Sequence, residues 1–406
     1  GRMSAMHDIV IVGGGLVGSS LAIALDGSGL RVALVEAALP QVAAQPSYDE
    51  RNLALARASI NALGALGVWA KVEQAPAPIT QIHISRRGGF GSAQLNAAEL
   101  GLAEFGAVLP ARELGNALLY RLESCRDLDR IAPAQLIAIE SQDDAIGLGV
   151  LADGTQRQLR ARLLVGADGT ESFVRNHFAI GADRFDYAQS ALVTTLTCER
   201  APDGCAFERF TDSGPVALLP LAGNRAGLVL SVPTADAARV AELDDDAFIA
   251  LVHERFGYRL GRFSRPGKRK PYPLARMLAS ALTAPRMVLV GNAAQTVHPL
   301  GAQGFNLGLR DALSLSELLI ESRRDAGDPG AADLLARYVA RRTPDRQATT
   351  AFSHDLVRLT RNPFPPLRWL GSLALGALDH LPPLKRRVAL RGMGFRGDVS
   401  RLGLSP

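Results

Sequence analysis

Near its start the chain runs His7-Asp8-Ile9-Val10-Ile11-Val12 straight into Gly13-Gly14-Gly15-Leu16-Val17-Gly18, and no other stretch narrows the fold as far. The apolar run has the length of a buried strand. Glycines at 13, 15 and 18 suit a strand-to-helix turn. One makes the turn, the next lets a pyrophosphate touch the backbone, and the third lets helix pack on strand. A helix ending near Asp26 follows, then the strand Arg31-Val32-Ala33-Leu34-Val35, closed by Glu36, 18 residues past Gly18. A carboxylate there can accept both hydroxyls of an adenosine ribose. A glycine fingerprint alone is weak, but strand, helix, strand and terminal acid in this order specify a dinucleotide site. Glu36 would repel a ribose phosphate, which favours FAD or NAD over NADP. Gly13, Gly14, Gly15, Leu16, Val17, Gly18 and Glu36 are the candidate contacts.

A second landmark lies far downstream, where the strand-like Met287-Val288-Leu289-Val290 leads into Gly291-Asn292-Ala293-Ala294-Gln295-Thr296-Val297-His298-Pro299-Leu300-Gly301-Ala302-Gln303-Gly304-Phe305-Asn306. Leu307, Leu309, Leu313, Leu315, Leu318 and Leu319 then indicate a mostly buried helix. A helix beginning near Gly304 aims free N–H groups and a positive dipole end at whatever stands before it. That suits an electron-rich ring gaining negative charge. Between the two landmarks lies Leu163-Leu164-Val165-Gly166-Ala167-Asp168-Gly169-Thr170-Glu171-Ser172-Phe173-Val174-Arg175.

Together these segments resemble the single-component FAD-dependent aromatic hydroxylases, the class A flavoprotein monooxygenases. Tyr48-Asp49-Glu50-Arg51-Asn52-Leu53-Ala54-Leu55, read as a helix start, resembles that family's Asp-x-Arg-x-x-Ala-Leu segment. Asn292 and Gln295 stand where the family usually has Asp and His. With His298-Pro299 and Gln303-Gly304-Phe305-Asn306, they make the chain similar to the ubiquinone-biosynthesis hydroxylases acting on 2-polyprenyl-6-methoxyphenol.

The resemblance implies an α/β fold. A Rossmann-like FAD domain of the p-hydroxybenzoate hydroxylase type is interleaved with a mainly antiparallel β-sheet substrate domain and followed by a helical tail. The expected FAD-binding parts are 5–78, 106–180 and 276–345, the substrate parts 79–105 and 181–275, and the tail 346–406. Arg51 would reach the cofactor phosphates or the flavin edge, and Arg112 a phosphate. Leu136 would lie beside the adenine. Asp168, with Gly169 beside it as a cofactor contact, would bind backbone or ribityl and pyrophosphate-linked groups, while Arg175 anchors the helix after them. Asn292 would take a ribityl hydroxyl. Asn306 and the Phe305 N–H would face the pyrimidine edge of the flavin, with Gln303 and Gly304 as further cofactor contacts. His298 would assist phenol deprotonation as the catalytic residue, with Pro299 beside the substrate. Phe210, Leu219 and Pro220 are further candidate pocket residues, with ordinary sheet core as the competing reading. Reduced FAD would form a C4a-hydroperoxide, whose distal oxygen is attacked by the activated phenol ring. One dinucleotide fingerprint means that NAD(P)H or another donor visits only transiently.

Cys125, Cys198 and Cys205 show no metal spacing, and their odd number argues against a disulfide framework. A reducing, cytoplasmic compartment is therefore expected. Gly1 to Ser4 reads as including a cloning remnant, with Met3 or Met6 as the native start, and no secretory signal is visible. The net charge of +5 is uneven: 358–401 carries nine Lys/Arg and two acids, a net +7, which leaves the rest at −2. Basic residues there sit among Phe364, Leu367, Trp369, Leu370, Leu373 and Leu375, which fits a membrane surface better than nucleic acid. Peripheral contact with the inner face of the cytoplasmic membrane is expected, with a polyprenyl phenol, O2, other ubiquinone-biosynthesis proteins and a second copy of the chain as partners. Arg262 to Lys270 reads as a solvated basic loop, and Ala238 to Phe256 as one helix. Two alternatives stand beside this reading. One is another FAD-dependent hydroxylase or reductase of the same fold, though no Trp-x-Trp-x-Ile-Pro segment of the halogenase type is present. The other is a non-enzymatic isoprenoid binder on a related fold.

Overall fold

The computed structural model describes residues 6–38, 51–88, 92–297 and 303–361, without the side chains of 303 and 352–361. The first elements are β1 (Met6–Val12), α1 (Leu16–Ala24), β2 (Val32–Val35), β3 (Asn52–Ala56) and α2 (Arg57–Ala65). Next come β4 (Ala77–Ile79), β5 (Gln81–Arg86), β6 (Ser92–Asn96), β7 (Gly106–Pro110) and α3 (Ala111–Leu122). The middle holds β8 (Leu128–Ile131), β9 (Ala134–Ser141), β10 (Ile146–Ala152), β11 (Thr155–Gly166), α4 (Phe173–His177) and β12 (Ala182–Cys198). Then follow β13 (Cys205–Phe210), β14 (Val216–Pro220), β15 (Arg225–Pro233), α5 (Ala237–Ala241) and α6 (Asp245–Phe256). The last are β16 (Phe263–Ser264), β17 (Lys270–Ala279), β18 (Thr283–Ala284), β19 (Met287–Leu289), β20 (Gln295–Thr296), α7 (Gln303–Arg324) and α8 (Ala332–Arg361).

The first sheet runs β18-β19-β11-β1-β2-β8, with β10 and β9 added beside β11. Its central pairings, β19/β11, β11/β1, β1/β2 and β2/β8, are parallel. Parallel strands covered on both faces need near-continuous apolar runs. Val32–Val35 and Met287–Leu289 meet that need, each buried throughout. Helices α1, α3 and α7 contribute Leu21, Leu118, Leu315 and Leu319 to the same core.

The second sheet runs β20-β17-β12-β15-β14-β13-β5-β6, with β16 at the side of β12. It is antiparallel except where β13 pairs β5. Period-two alternation separates its faces. Leu192, Phe207, Leu218 and Leu230 pack on Phe248, Val252 and Phe256 of α6. A third sheet, β3-β7-β4, lies against the opposite face, with Ala54 and Val108 clustered on Ile82 and Leu219.

Three local expectations need correction. Arg51 to Leu55 opens no helix: Asn52–Ala56 is a strand, and the helix begins at Arg57. Pairing of β3 with β7 overrides the helical propensity of Ala54, Leu55 and Ala56. Ala238 to Phe256 is two helices, because Asp244 caps α6 by accepting the Ala247 N–H at 2.8 Å. The basic loop is not wholly solvated. Arg269 pairs with Asp245 at 2.8 Å, donates to Leu243 O and stacks over Phe248 at 4.5 Å.

Candidate functional site

Three glycine-bearing segments, distant in sequence, meet at the carboxyl ends of β1, β11 and β19. Gly13 has φ +112°, which favours glycine, and a Cβ there would lie 2.1 Å from Ala167 O. Ala167 N–H donates to Val12 O at 2.8 Å, which stitches the first segment to the second. A Cβ on Gly18 would lie 1.8 Å from Gly13 O, so only glycine lets α1 close on the loop. Val290 N–H donates to Gly166 O at 3.0 Å, which brings in the third segment. The Val17 side chain fills the gap left by two more glycines: a Cβ on Gly291 or Gly308 would lie 3.3 or 2.8 Å from its methyls. The Thr170 and Thr296 hydroxyls are 2.9 Å apart.

Gly15 is the N-cap of α1 and has no side chain to bond the first-turn N–H groups of Leu16, Val17 and Gly18. A helix start of this kind holds a phosphate. Glu36 stands at the end of β2, where one carboxylate oxygen accepts the Gly14 N–H and the other the Ala38 N–H at 3.0 Å. Ala134, which opens β9, donates to Glu36 O at 2.8 Å. Leu136, two residues along β9, is buried in the main core.

Asp168 accepts the Ser172 hydroxyl at 2.5 Å and the Val174 N–H at 3.2 Å. Burial pushes its carboxyl above the usual range, against the pull of these donors. Gly169, at φ +84°, has open space beside its Cα. Arg175 is 1% exposed and reaches Ala293 O at 2.9 Å and Thr170 O at 2.7 Å, so it holds the third segment as well as its own turn.

Asn292 is exposed on a short helical turn after β19. Gly304 is half-buried with open space beside it, and Phe305 packs on the core. Asn306 differs from expectation. Its side chain is buried and accepts the Ala56 N–H at 3.1 Å and the Ser59 hydroxyl at 2.7 Å, while its amide donates to Ala54 O at 3.2 Å. It therefore ties α7 to β3 and α2, and its main chain is the part at the helix start. Arg51 is exposed, 5.5 Å from the Tyr272 ring of β17. Arg112 is exposed in the first turn of α3. His298 and Pro299 lie outside the described residues, as does the side chain of Gln303 and the segment 362–406.

A buried polar network supports the third segment, and sequence reasoning assigned it no role. Asp311 on α7 accepts the Gly291 N–H at 3.1 Å, the Gln295 amide at 2.8 Å and Arg342 Nε at 2.7 Å. Arg342 and Arg310 share Asp345 on α8. Arg346 closes the circuit on Gln295 Oε1 at 3.0 Å and Ala294 O at 2.9 Å. Tyr338 donates to Leu289 O at 3.1 Å. Burial alone would raise the Asp345 carboxyl, but the Arg310 and Arg342 guanidiniums hold it below its ordinary value. Gln295, where the family usually has His, is thus a buried anchor. The departure from His was the one signal in the sequence that the position is special.

Strand register gives the wall opposite α5 and α6. Ile84, Glu208, Ala217 and Val229 lie side by side on β5, β13, β14 and β15. The row continues through Val193 on β12 to Lys270 on β17, with Tyr272 two residues along. From Ile84 to Val193 every member is half-buried, where the α6 side of the sheet is closed. Leu219 belongs to this face, half-buried beside Ile82 and Val108. Pro220 is buried, paired with Ala226. Phe210 is 1% exposed, packed with Tyr187 and Ile84, and is core rather than open wall. A Cβ on Gly227 would come within 2.9 Å of Asn52 Nδ2, so β15 and β3 touch here. Strand β20 leaves the third segment to pair with β17, which joins the glycine cradle to this sheet.

The model of the FAD binding domain family matches residues 6–353. The ubiquinone hydroxylase UbiL of Rhodospirillum rubrum is 36% identical over 394 residues, covering 97% of this chain and 91% of that protein. The 3-demethoxyubiquinol 3-hydroxylase of Escherichia coli is 33% identical, over 96% of this chain and 98% of that protein. Among solved structures, the p-nitrophenol 4-monooxygenase PnpA of Pseudomonas putida superposes with a TM-score of 0.79 at 18% identity, covering 98% of this chain and 100% of that one. At that identity the likeness speaks for the fold. Among the described residues no helix is long and apolar enough to cross a membrane.

Proposed function

The chain belongs to the FAD binding domain family, and we propose that it hydroxylates the phenol ring of a polyprenylated intermediate in ubiquinone biosynthesis. It is an FAD-dependent aromatic monooxygenase that uses O2 and a reduced donor. The residues fit the dinucleotide. Gly13 and Gly18 let the loop close on Ala167 and α1, and the start of α1 behind Gly15 offers N–H groups to a pyrophosphate. Glu36 would turn from its main-chain contacts to the ribose hydroxyls. Asp168, Gly169 and Asn292 would take the ribityl side, and the main chain from Gly304 to Asn306 the pyrimidine edge.

When bound, FAD supplies the oxygen activation and delivers one oxygen atom to the ring. The protein's own work is binding, orientation and exclusion of water. The observation that carries the proposal is the half-open row of Ile84, Ala217, Val229 and Val193, on a sheet that β20 joins to the glycine cradle. An apolar wall with a few polar groups suits an aromatic ring bearing an apolar chain. Glu208 is the carboxylate within that row. His298 is assigned the phenol proton from its place beside Pro299 in the motif.

A polyprenyl phenol partitions into the bilayer, so the enzyme meets it at the surface. The net +7 of 358–401 supports contact with anionic lipid. Binding to anionic liposomes should then weaken with salt and in Lys385→Glu/Arg386→Glu/Arg387→Glu. Sedimentation of that variant equal to wild type would remove the membrane part of the proposal. The hydroxylation itself is tested by quinone profiling of a deletion strain. An under-hydroxylated polyprenyl phenol should accumulate, and an unchanged quinone profile would refute the assignment.

A further inference from the structure

The face of the second sheet that packs on α6 carries a hollow of about 270 Å³. His83, Ser85, Phe207, Arg209, Tyr258 and Arg259 line it, with no carboxylate among the lining residues. We propose that this hollow binds a diphosphate-bearing anion. Arg209 is half-buried and spends two donors on neutral acceptors, Arg255 O at 3.1 Å and the Ser85 hydroxyl at 3.4 Å. Arg259 gives one N–H to His83 Nε2 at 3.2 Å. Since a guanidinium only donates, His83 accepts there as a neutral ring. Neither arginine forms an ion pair among the described residues. Arg87, close by, makes a loose and exposed contact with Glu254 at 3.8 Å. Burial lowers the Arg209 pKa, and the Arg87 charge lowers it further.

A half-buried cation without a counter-charge is costly, and an anion in the hollow offsets that cost. Guanidinium forks match phosphate oxygens, and five N–H groups per arginine leave donors to spare. Tyr258 adds a second element. One face of its ring stacks on His253 at 4.0 Å and 9°, yet the residue is 64% exposed, so the other face is open to a planar ring. Diphosphate on the arginines with a base on Tyr258 describes a nucleoside diphosphate, and diphosphate alone describes a free anion. His83, Ser85, Phe207 and Arg209 alternate along β5 and β13 with Ile84 and Glu208, so the hollow and the row of Ile84 and Glu208 lie on opposite faces of the sheet.

The test is calorimetric titration of the full-length, FAD-saturated protein with pyrophosphate and, separately, ADP. Both should bind, and Arg209→Gln/Arg259→Gln should weaken both at least tenfold while flavin content and Tm stay as in wild type. Should the double variant fold poorly, Arg259→Gln alone, at the exposed rim, should still weaken both. Tighter binding of ADP than of pyrophosphate, lost in Tyr258→Ala, would assign the nucleotide. Equal affinities would assign the free anion. No binding of either probe, or binding that both arginine variants leave unchanged, overturns the proposal.

Discussion

Asp311→Ala should be among the most damaging single changes outside the cradle itself. The carboxylate is 2% exposed and accepts the Gly291 N–H, the Gln295 amide and Arg342 Nε within 3.1 Å. Its removal orphans two buried donors and leaves Asp345 alone to balance Arg310 and Arg342. Breaking a buried ion pair by deleting one partner costs about 3–5 kcal/mol. Each orphaned donor would cost about 1–3 kcal/mol on its own, but all three losses share one site and do not simply add. A loss near 5 kcal/mol, roughly the upper bound for the pair, is therefore expected. Asp311→Asn keeps the shape and one acceptor and should lose less. Urea unfolding of the apoprotein reads the stability, and quenching of flavin fluorescence reads FAD affinity. The network holds the Gly291–Gln295 turn, so FAD affinity should fall more in Asp311→Ala than in Leu318→Ala, a buried core truncation expected to cost about 2–5 kcal/mol. A stability loss under about 1 kcal/mol with unchanged FAD affinity would refute this reasoning.

Gly18→Ala should abolish FAD retention on gel filtration, because its methyl would lie 1.8 Å from Gly13 O; a variant that stays yellow would contradict the close approach. Asn292→Asp should bind FAD about as well as wild type, since both side chains accept a hydroxyl, whereas Asn292→Leu should lose about 1–3 kcal/mol of affinity in the same fluorescence assay. Asp345 has a folded pKa below its unfolded value, so its contribution is fully present above about pH 4 and disappears as pH falls through the depressed folded value. The acid limb of stability against pH should therefore be shallower in Asp345→Asn than in wild type, and equal slopes would count against the ion-pair account.

What could be read from the chain was what is local. The β1–α1–β2 unit and its glycines need only neighbours in sequence, and Gly13, Gly18 and Glu36 stand where the spacing put them. Asn52–Ala56 was misread because its state is set by β7, some fifty residues away: a Cβ on Gly106 would lie 2.0 Å from Leu55 O. The glycine there lets the two backbones close, and no window around Leu55 contains that information. The same limit hid the roles of Asp311, Gln295 and Arg346, whose partners are 16 and 51 residues apart. The alternation in β13 and β14 was visible, but which face met α6 depended on register. Phe210 lies on the same face as Glu208, but Tyr187 and Ile84 pack over it, so of the two readings given for it ordinary sheet core is the one its burial matches.

The central claim is that one atom of O2 enters a phenol ring held against this cradle. Its most direct measurement is turnover of a short-chain prenyl phenol by the purified, FAD-loaded protein with a chemical or enzymatic reductant under isotopically labelled dioxygen. Mass spectrometry of the product should find a single labelled oxygen on the ring, with none when the label is supplied in water. An unlabelled product, or reductant consumption that yields only hydrogen peroxide while the phenol is recovered unchanged, would contradict it.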